Sequence, residues 1–278
     1  MQLERCYGWI RSHREFFVDL IRIYLGIGLF IKGIFFFMHP EALAAPVQGS
    51  WMAPLALAVP WVHVLGGLLL ASGIFARLAA LVQIPIVLAA LMSVNLPRMS
   101  GMQAREAVEF SALTLFILVL LAIWGAGPLS VPFARRATAS RAHSTGGWLH
   151  SHADLFLDLI RMYLGLGLFI KGFYIMAHQE EFQQVAASSG IMPLKLLAVA
   201  HYVIPVHFVG GLMLLLGMAT RLGAIMQIPL LIGAVCYVYL PRFGTLELRQ
   251  NLEFSTLVLF LLCIFAIAGS GRYSIESA

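Results

Sequence analysis

Asp19 to Gly33 reads DLIRIYLGIGLFIKG, and Asp158 to Gly172 reads DLIRMYLGLGLFIKG. The two strings differ only at Ile23/Met162 and Ile27/Leu166 and lie 139 residues apart. Agreement of this kind over such a distance marks a duplicated unit. The echo continues downstream. His63-Val-Leu-Gly66-Gly67 is answered by His207-Phe-Val-Gly210-Gly211, Gln83-Ile-Pro85 by Gln227-Ile-Pro229, and Leu96-Pro97-Arg98 by Leu240-Pro241-Arg242. Glu109-Phe-Ser111 is answered by Glu253-Phe-Ser255, and all these later pairs lie 144 residues apart. The second half therefore carries five extra residues in its first long loop. A Gly-, Pro-, Ser- and Arg-rich stretch around 125–153 reads as the connector.

Around these strings the chain is strongly apolar. Of its 278 residues 60% are hydrophobic and 11% charged, and the mean hydropathy is +0.89. A soluble domain carries about a quarter charged residues, so this chain has too little polar surface to cover a soluble globule. It reads as an integral membrane protein in contact with lipid. The net charge of +5 and pI near 9.3 come without a basic stripe interleaved with aromatics, which argues against nucleic-acid binding. Cys6, Cys236 and Cys263 form no C-x-x-C pair, so self-contained thiol–disulfide chemistry is not expected.

A bilayer-crossing helix needs roughly 20 apolar residues. Hydropathy gives four such segments per half: 16–38, 55–76, 78–96 and 107–124, then 155–177, 194–219, 222–240 and 251–268. The expected fold is all-α, with eight transmembrane helices in two parallel-repeat four-helix bundles. The units run over 1–127 and 154–278, with a basic cytoplasmic linker over 128–153. The polar residues 1–15 lack an apolar core of their own, so the first span is expected to serve as its own targeting signal. Nine Lys/Arg fall on the side of the termini, including Arg5, Arg11, Arg77, Arg135, Arg136 and Arg221, against five on the other. That bias puts both termini in the cytoplasm, and the expected location is a prokaryotic inner membrane.

Ionisable side chains inside such spans cost at least ~2.5 kcal/mol on insertion scales and are functional candidates by default. Asp19 with Arg22, and Asp158 with Arg161, stand at i and i+3 and read as structural ion pairs anchoring their helices at the interface. Lys32, His63 and Glu109 fall at matched depths on three antiparallel helices, as do Lys171, His207 and Glu253. They are expected to converge in two outer-half pockets, with His63, Glu109, His207 and Glu253 handling protons. Lys32, Lys171 and the outer-mouth His39 and His178 would bind ligand. The competing readings are lysines that snorkel to the headgroups and histidines that only glue helices together. Gly26, Gly28, Gly33, Gly66 and Gly67 read as close-packing positions. Pro85 and Pro229 should kink the third helix of each half, with Gln83 and Gln227 placed to satisfy a freed carbonyl.

No metal site is expected. Haem is the less favoured cofactor, because His39 and His63 differ in depth by roughly 10 Å in regular helices. The pattern Arg22, Gly26, Gly28, Lys32, Gly33, then His63, Gly66, Gly67, Gly73, Arg77, resembles the DoxX-like family. Arg161, Gly165, Gly167, Lys171, Gly172, then His207, Gly210, Gly211, Gly217, Arg221, repeats the resemblance. The closing Gly125/Gly127 and Gly269/Gly271 also fit. Two departures stand out: the family usually has Glu before its Gly-Gly, where this chain has His63 and His207, and most members carry one unit. The resemblance implies four-helix bundles and a link to membrane redox chemistry, since relatives include the DoxD subunit of thiosulfate:quinone oxidoreductase. The favoured expectation is a membrane subunit of a quinone-linked oxidoreductase, each pocket receiving a quinone head group and electrons arriving from a soluble redox partner. A non-enzymatic scaffold that docks a soluble enzyme, and a small-solute transporter, are the alternatives.

Overall fold

The computed structural model describes residues 13–47, 53–131, 153–188, 193–242 and 246–277, so most of the expected linker, 132–152, lies outside the described residues. Among the described residues the chain is helical, with no strand. The first half of the sequence forms α1 (Arg14–Met38), α2 (Glu41–Val47), α3 (Ala53–Ala56), α4 (Val59–Ser72), α5 (Ala76–Ala89) and α6 (Gly101–Trp124). The second half forms α7 (Ala153–Ala177), α8 (Gln179–Ser188), α9 (Pro193–Leu216), α10 (Thr220–Gly233) and α11 (Leu246–Ala268). Five stretches among the described residues are long and apolar enough to cross a membrane: Arg14–Met38, Ala76–Arg98, Ala104–Trp124, Thr220–Tyr239 and Arg249–Ala268. Val59–Ser72 and His201–Leu216 are apolar but shorter.

Compactness divides the chain differently from the repeat. One unit, called the first, holds His13–Met99 and Ser111–Phe156; the second holds Ser100–Phe110 and Leu157–Ala278. The division runs through α6. Its opening turns group with the second half of the sequence, because Met102 packs with Ile175 and Val203 in one buried cluster.

In the first unit, α1 and α4 cross at near-contact distance. A Cβ on Gly26 would lie 2.5 Å from the Ala71 nitrogen, and one on Gly67 would lie 2.5 Å from the Phe30 nitrogen. Only hydrogen fits at such a crossing. Gly28 and its counterpart Gly167 have nothing within 4 Å of an added Cβ, so the close-packing expectation fails at Gly28. Both are exposed, on a helix face turned away from the neighbour.

The Asp19–Arg22 ion pair expected from the sequence forms, and both residues are 0% exposed within the protein. Arg22 Nε donates to Asp19 Oδ1 at 2.8 Å, and Nη1 donates to the carbonyls of Leu70 and Ala71 at 2.5 and 2.8 Å. Those are among the last carbonyls of α4, of which Leu70's also accepts the N–H of the capping Gly73 at 3.2 Å. Asp19 in turn accepts the backbone N–H groups of Gly127 and Leu129, at 3.0 and 2.6 Å. One ion pair thus ties α1, the end of α4 and the loop after α6. The loop covers the pair. The second unit repeats the device. Arg161 pairs with Asp158 and donates to the Leu214 carbonyl at 2.5 Å, and the Tyr273 N–H donates to Asp158 at 2.8 Å.

Gly73 (φ +79°) ends α4 in the left-handed region that glycine favours. Pro85 and Pro229 lie within continuous helical stretches, Ala76–Arg98 and Thr220–Tyr239. The Gln83 and Gln227 amides do not serve those prolines. Each donates across to the preceding long helix, Gln83 to the Val62 carbonyl at 3.0 Å and Gln227 to the Val206 carbonyl at 2.9 Å. After each proline the helix widens into π-turns, Ala90–Asn95 and Ala234–Tyr239, whose last residues are buried. Single π-turns of this kind often occur at functional sites.

Candidate functional site

In the second unit α7 carries Lys171, α9 carries His207, the opening turns of α6 carry Arg105, Glu106 and Glu109, and the π-turn after α10 ends on Tyr239. Lys171 Nζ donates to Glu106 Oε1 at 2.7 Å and to Glu109 Oε2 at 3.2 Å. Tyr239 OH donates to Glu106 Oε2 at 2.7 Å, and Arg105 Nε donates to Glu109 Oε1 at 3.0 Å. The result is a continuous chain, Tyr239–Glu106–Lys171–Glu109–Arg105. Its two cations and two anions balance, which lets them share an apolar bundle. Side-chain exposure rises along it, from 6% at Glu106 through 16% at Lys171 and 24% at Glu109 to 30% at Arg105. The chain therefore has a buried end and a wetter end. An ammonium has three N–H donors, and the two glutamates engage two of them.

His207 is buried and lies within electrostatic range of Lys171 and Glu109. Its Nδ1 is 2.9 Å from the Val203 carbonyl. Carbonyls only accept, so Nδ1 carries the hydrogen and Nε2 of the neutral ring is an acceptor. Lys171 Nζ also lies 5.4 Å from the Phe254 ring, and Phe254 packs edge-on against Phe110. At the wet end the Arg105 guanidinium sits 4.4 Å over the Tyr174 ring. Tyr174 OH donates to Glu181 of α8 at 3.1 Å, and Glu181 accepts the Met102 N–H at the start of α6. His178 is exposed and stacks on Tyr174 at 4.2 Å, so it borders this end without touching Lys171.

In the first unit the matching residues make contacts of their own. Lys32 Nζ lies 5.8 Å from the Phe36 ring, and Phe36 stacks on His63 at 6.0 Å. His63 Nδ1 is 2.7 Å from Gln83 Oε1. His39 is exposed, 4.7 Å from the Phe35 ring and 3.1 Å from a Glu41 oxygen. Glu41, in the loop helix α2, has its carboxyl held below the usual range, first by its own backbone N–H and then by His39.

The grouping by halves that depth suggested does not describe these contacts. Glu109 of the first half serves Lys171 of the second, and Glu253 pairs with Arg249 at 3.3 Å. Two participants went unnoticed in the sequence. Glu106 was readable as an ordinary polar residue at a helix start. Its signal is asymmetry, since the matching position holds Gln250. Tyr239 was hidden in an apolar run, where the first half has Asn95 bonded to Ser111 at 2.7 Å. Among the described residues no group of three His, Cys, Asp or Glu is arranged to hold a metal ion.

Long apolar helices that bury a balanced ion chain define a multi-pass helical membrane protein. A profile of the DoxX family matches residues 17–96 and 156–240, and the chain belongs to that family, with the family unit present twice. No curated protein and no solved structure matches it. The matched segments contain Lys32, His63, Lys171, His207 and Tyr239, whereas Glu106, Glu109 and Glu253 lie beyond them.

Proposed function

We propose that this protein is the membrane subunit of a quinone-linked oxidoreductase, and that the Lys171 cluster of the second unit receives the ligand's polar head. The carrying observation is Lys171 itself. It is held at 2.7 and 3.2 Å by two glutamates, retains one N–H, and lies within electrostatic range of a buried histidine. In this reading eight helical segments, the shorter ones included, cross a prokaryotic inner membrane as two four-helix repeats, over 1–127 and 154–278, with both termini and the 128–153 linker cytoplasmic.

A bound quinone would supply the electron-accepting centre, and a soluble redox partner would supply electrons. The chain's own residues would do the rest. Lys171 would place positive charge and a donor at a head-group oxygen, where negative charge develops. His207 would hold or release a proton at Nε2. Glu106 and Tyr239 would fix the lysine from the buried side. Glu109 and Arg105 would connect it to the wetter end, where protons are exchanged.

Binding of decylubiquinone to the purified protein in nanodiscs tests this. Wild type and His63→Ala are expected to bind, and Lys171→Met to bind at least about tenfold more weakly, the worth of a charged hydrogen bond. Equal affinity in all three proteins, or no binding by wild type, removes the quinone reading.

A further inference from the structure

Gln227 and Gln83 occupy the same position in the two repeats, and each donates its Nε2 hydrogens to a carbonyl of the preceding long helix. That bond fixes which end of each amide is oxygen. In the first unit Gln83 Oε1 faces His63 Nδ1 at 2.7 Å, so the pair satisfies itself. In the second unit His207 spends its Nδ1 hydrogen on the Val203 carbonyl. Gln227 Oε1 is then left buried and without a hydrogen-bond partner, in a side chain that is 0% exposed. A buried acceptor with no donor is a standing free-energy cost. His207, next in the chain to the Val206 whose carbonyl Gln227 bonds, has Nε2 as a second acceptor. Pro205, Val209 and Ile225, each two residues from His207 or Gln227 in the sequence, are exposed.

We infer that Gln227 and His207 form a binding site for a hydroxyl-bearing head group. A phenolic or alcoholic O–H satisfies Gln227 Oε1, whereas a carbonyl or ether oxygen brought to the same atom meets lone pairs with lone pairs. Resting on the quinone reading above, the inference adds that the reduced, hydroxylic form of the ligand is the form this site holds. The first unit, whose His63 and Gln83 are already mutually bonded, lacks the vacant acceptor. The same amino acids thus give a closed pair in one repeat and a receptive pair in the other.

The test uses the full chain in nanodiscs and two matched probes, 4-decylphenol and 4-decylanisole, in which a methyl group replaces the hydroxyl hydrogen. The phenol is expected to bind about tenfold tighter than the anisole, the worth of one or two net hydrogen bonds. That preference should vanish in Gln227→Met and survive in Gln83→Met. Equal affinity for the two probes, binding of neither, or a preference that persists in Gln227→Met overturns the inference. The wild-type comparison stands even if a variant fails to fold. Decylubiquinone binding in the same preparation reports separately on the quinone reading. Phenol preference without quinone binding keeps the hydroxyl site and ends that reading, and quinone binding without phenol preference does the reverse.

Discussion

The His63–Gln83 and His207–Gln227 pairs occupy matching positions in the two repeats and behave differently. In the first unit the ring and the amide bond each other at 2.7 Å. In the second the ring turns to its own helix and the amide oxygen is left alone. The Asp–Arg nodes show the opposite outcome: Asp19–Arg22 and Asp158–Arg161 build nearly the same buried tie in both units. Duplication has kept what holds each unit together and changed what borders the polar cluster. Lys171 bonds Glu106, where the other repeat has Gln250, and Glu106 in turn accepts from Tyr239, where the other repeat has Asn95.

The sharpest way to break this contrast is at the nodes, where the two repeats should respond alike. Asp19→Ala strands the buried Arg22 guanidinium and unbinds two N–H groups of the following loop, and Asp158→Ala does the same to Arg161. Each should cost about 3–5 kcal/mol, the price of leaving one partner of a buried ion pair. Thermal unfolding in detergent should show similar large losses for both. A loss at one site only would mean that the nodes are not equivalent.

The glutamine pair sharpens the contrast with a smaller effect. Gln83→Met leaves the His63 Nδ1 hydrogen without its acceptor and should cost about 1–3 kcal/mol. Gln227→Met removes an atom that had no partner and forfeits only the bond to Val206, so it should cost clearly less. The same unfolding assay measures both, and a costlier Gln227→Met would contradict the difference between the pairs. Smallest of all are His39→Ala and His178→Ala. Both rings are exposed, and their substitution should change stability by less than about 0.5 kcal/mol, with ligand binding unaltered.

Much of the fold was legible in the sequence, because helix period, apolar length and an internal repeat are local signals. Lys171, His207 and Glu109 could be singled out for the same reason: each is an ionisable group in an apolar run. What local signals cannot carry is partner choice. Depth along a helix predicts level, but not which bundle a side chain joins, so Glu109 was grouped with Lys32 rather than with Lys171. Glu106 stood at a helix start, where acidic residues are ordinary. Tyr239 looked like one more aromatic among apolar neighbours. The burial of Asp19 and Arg22 was likewise invisible, because a loop more than a hundred residues downstream, at Gly127 and Leu129, supplies their cover.

The central claim is that the repeats are unequal and that the Lys171–His207 side of the molecule holds the ligand. Its most direct test is the number of decylubiquinol molecules, kept reduced, bound per chain at saturation, measured by equilibrium dialysis in nanodiscs with wild type, His63→Ala and His207→Ala. The account predicts one molecule per chain, kept in His63→Ala and lost in His207→Ala. Two molecules per chain, or a single one lost equally in both variants, would contradict it.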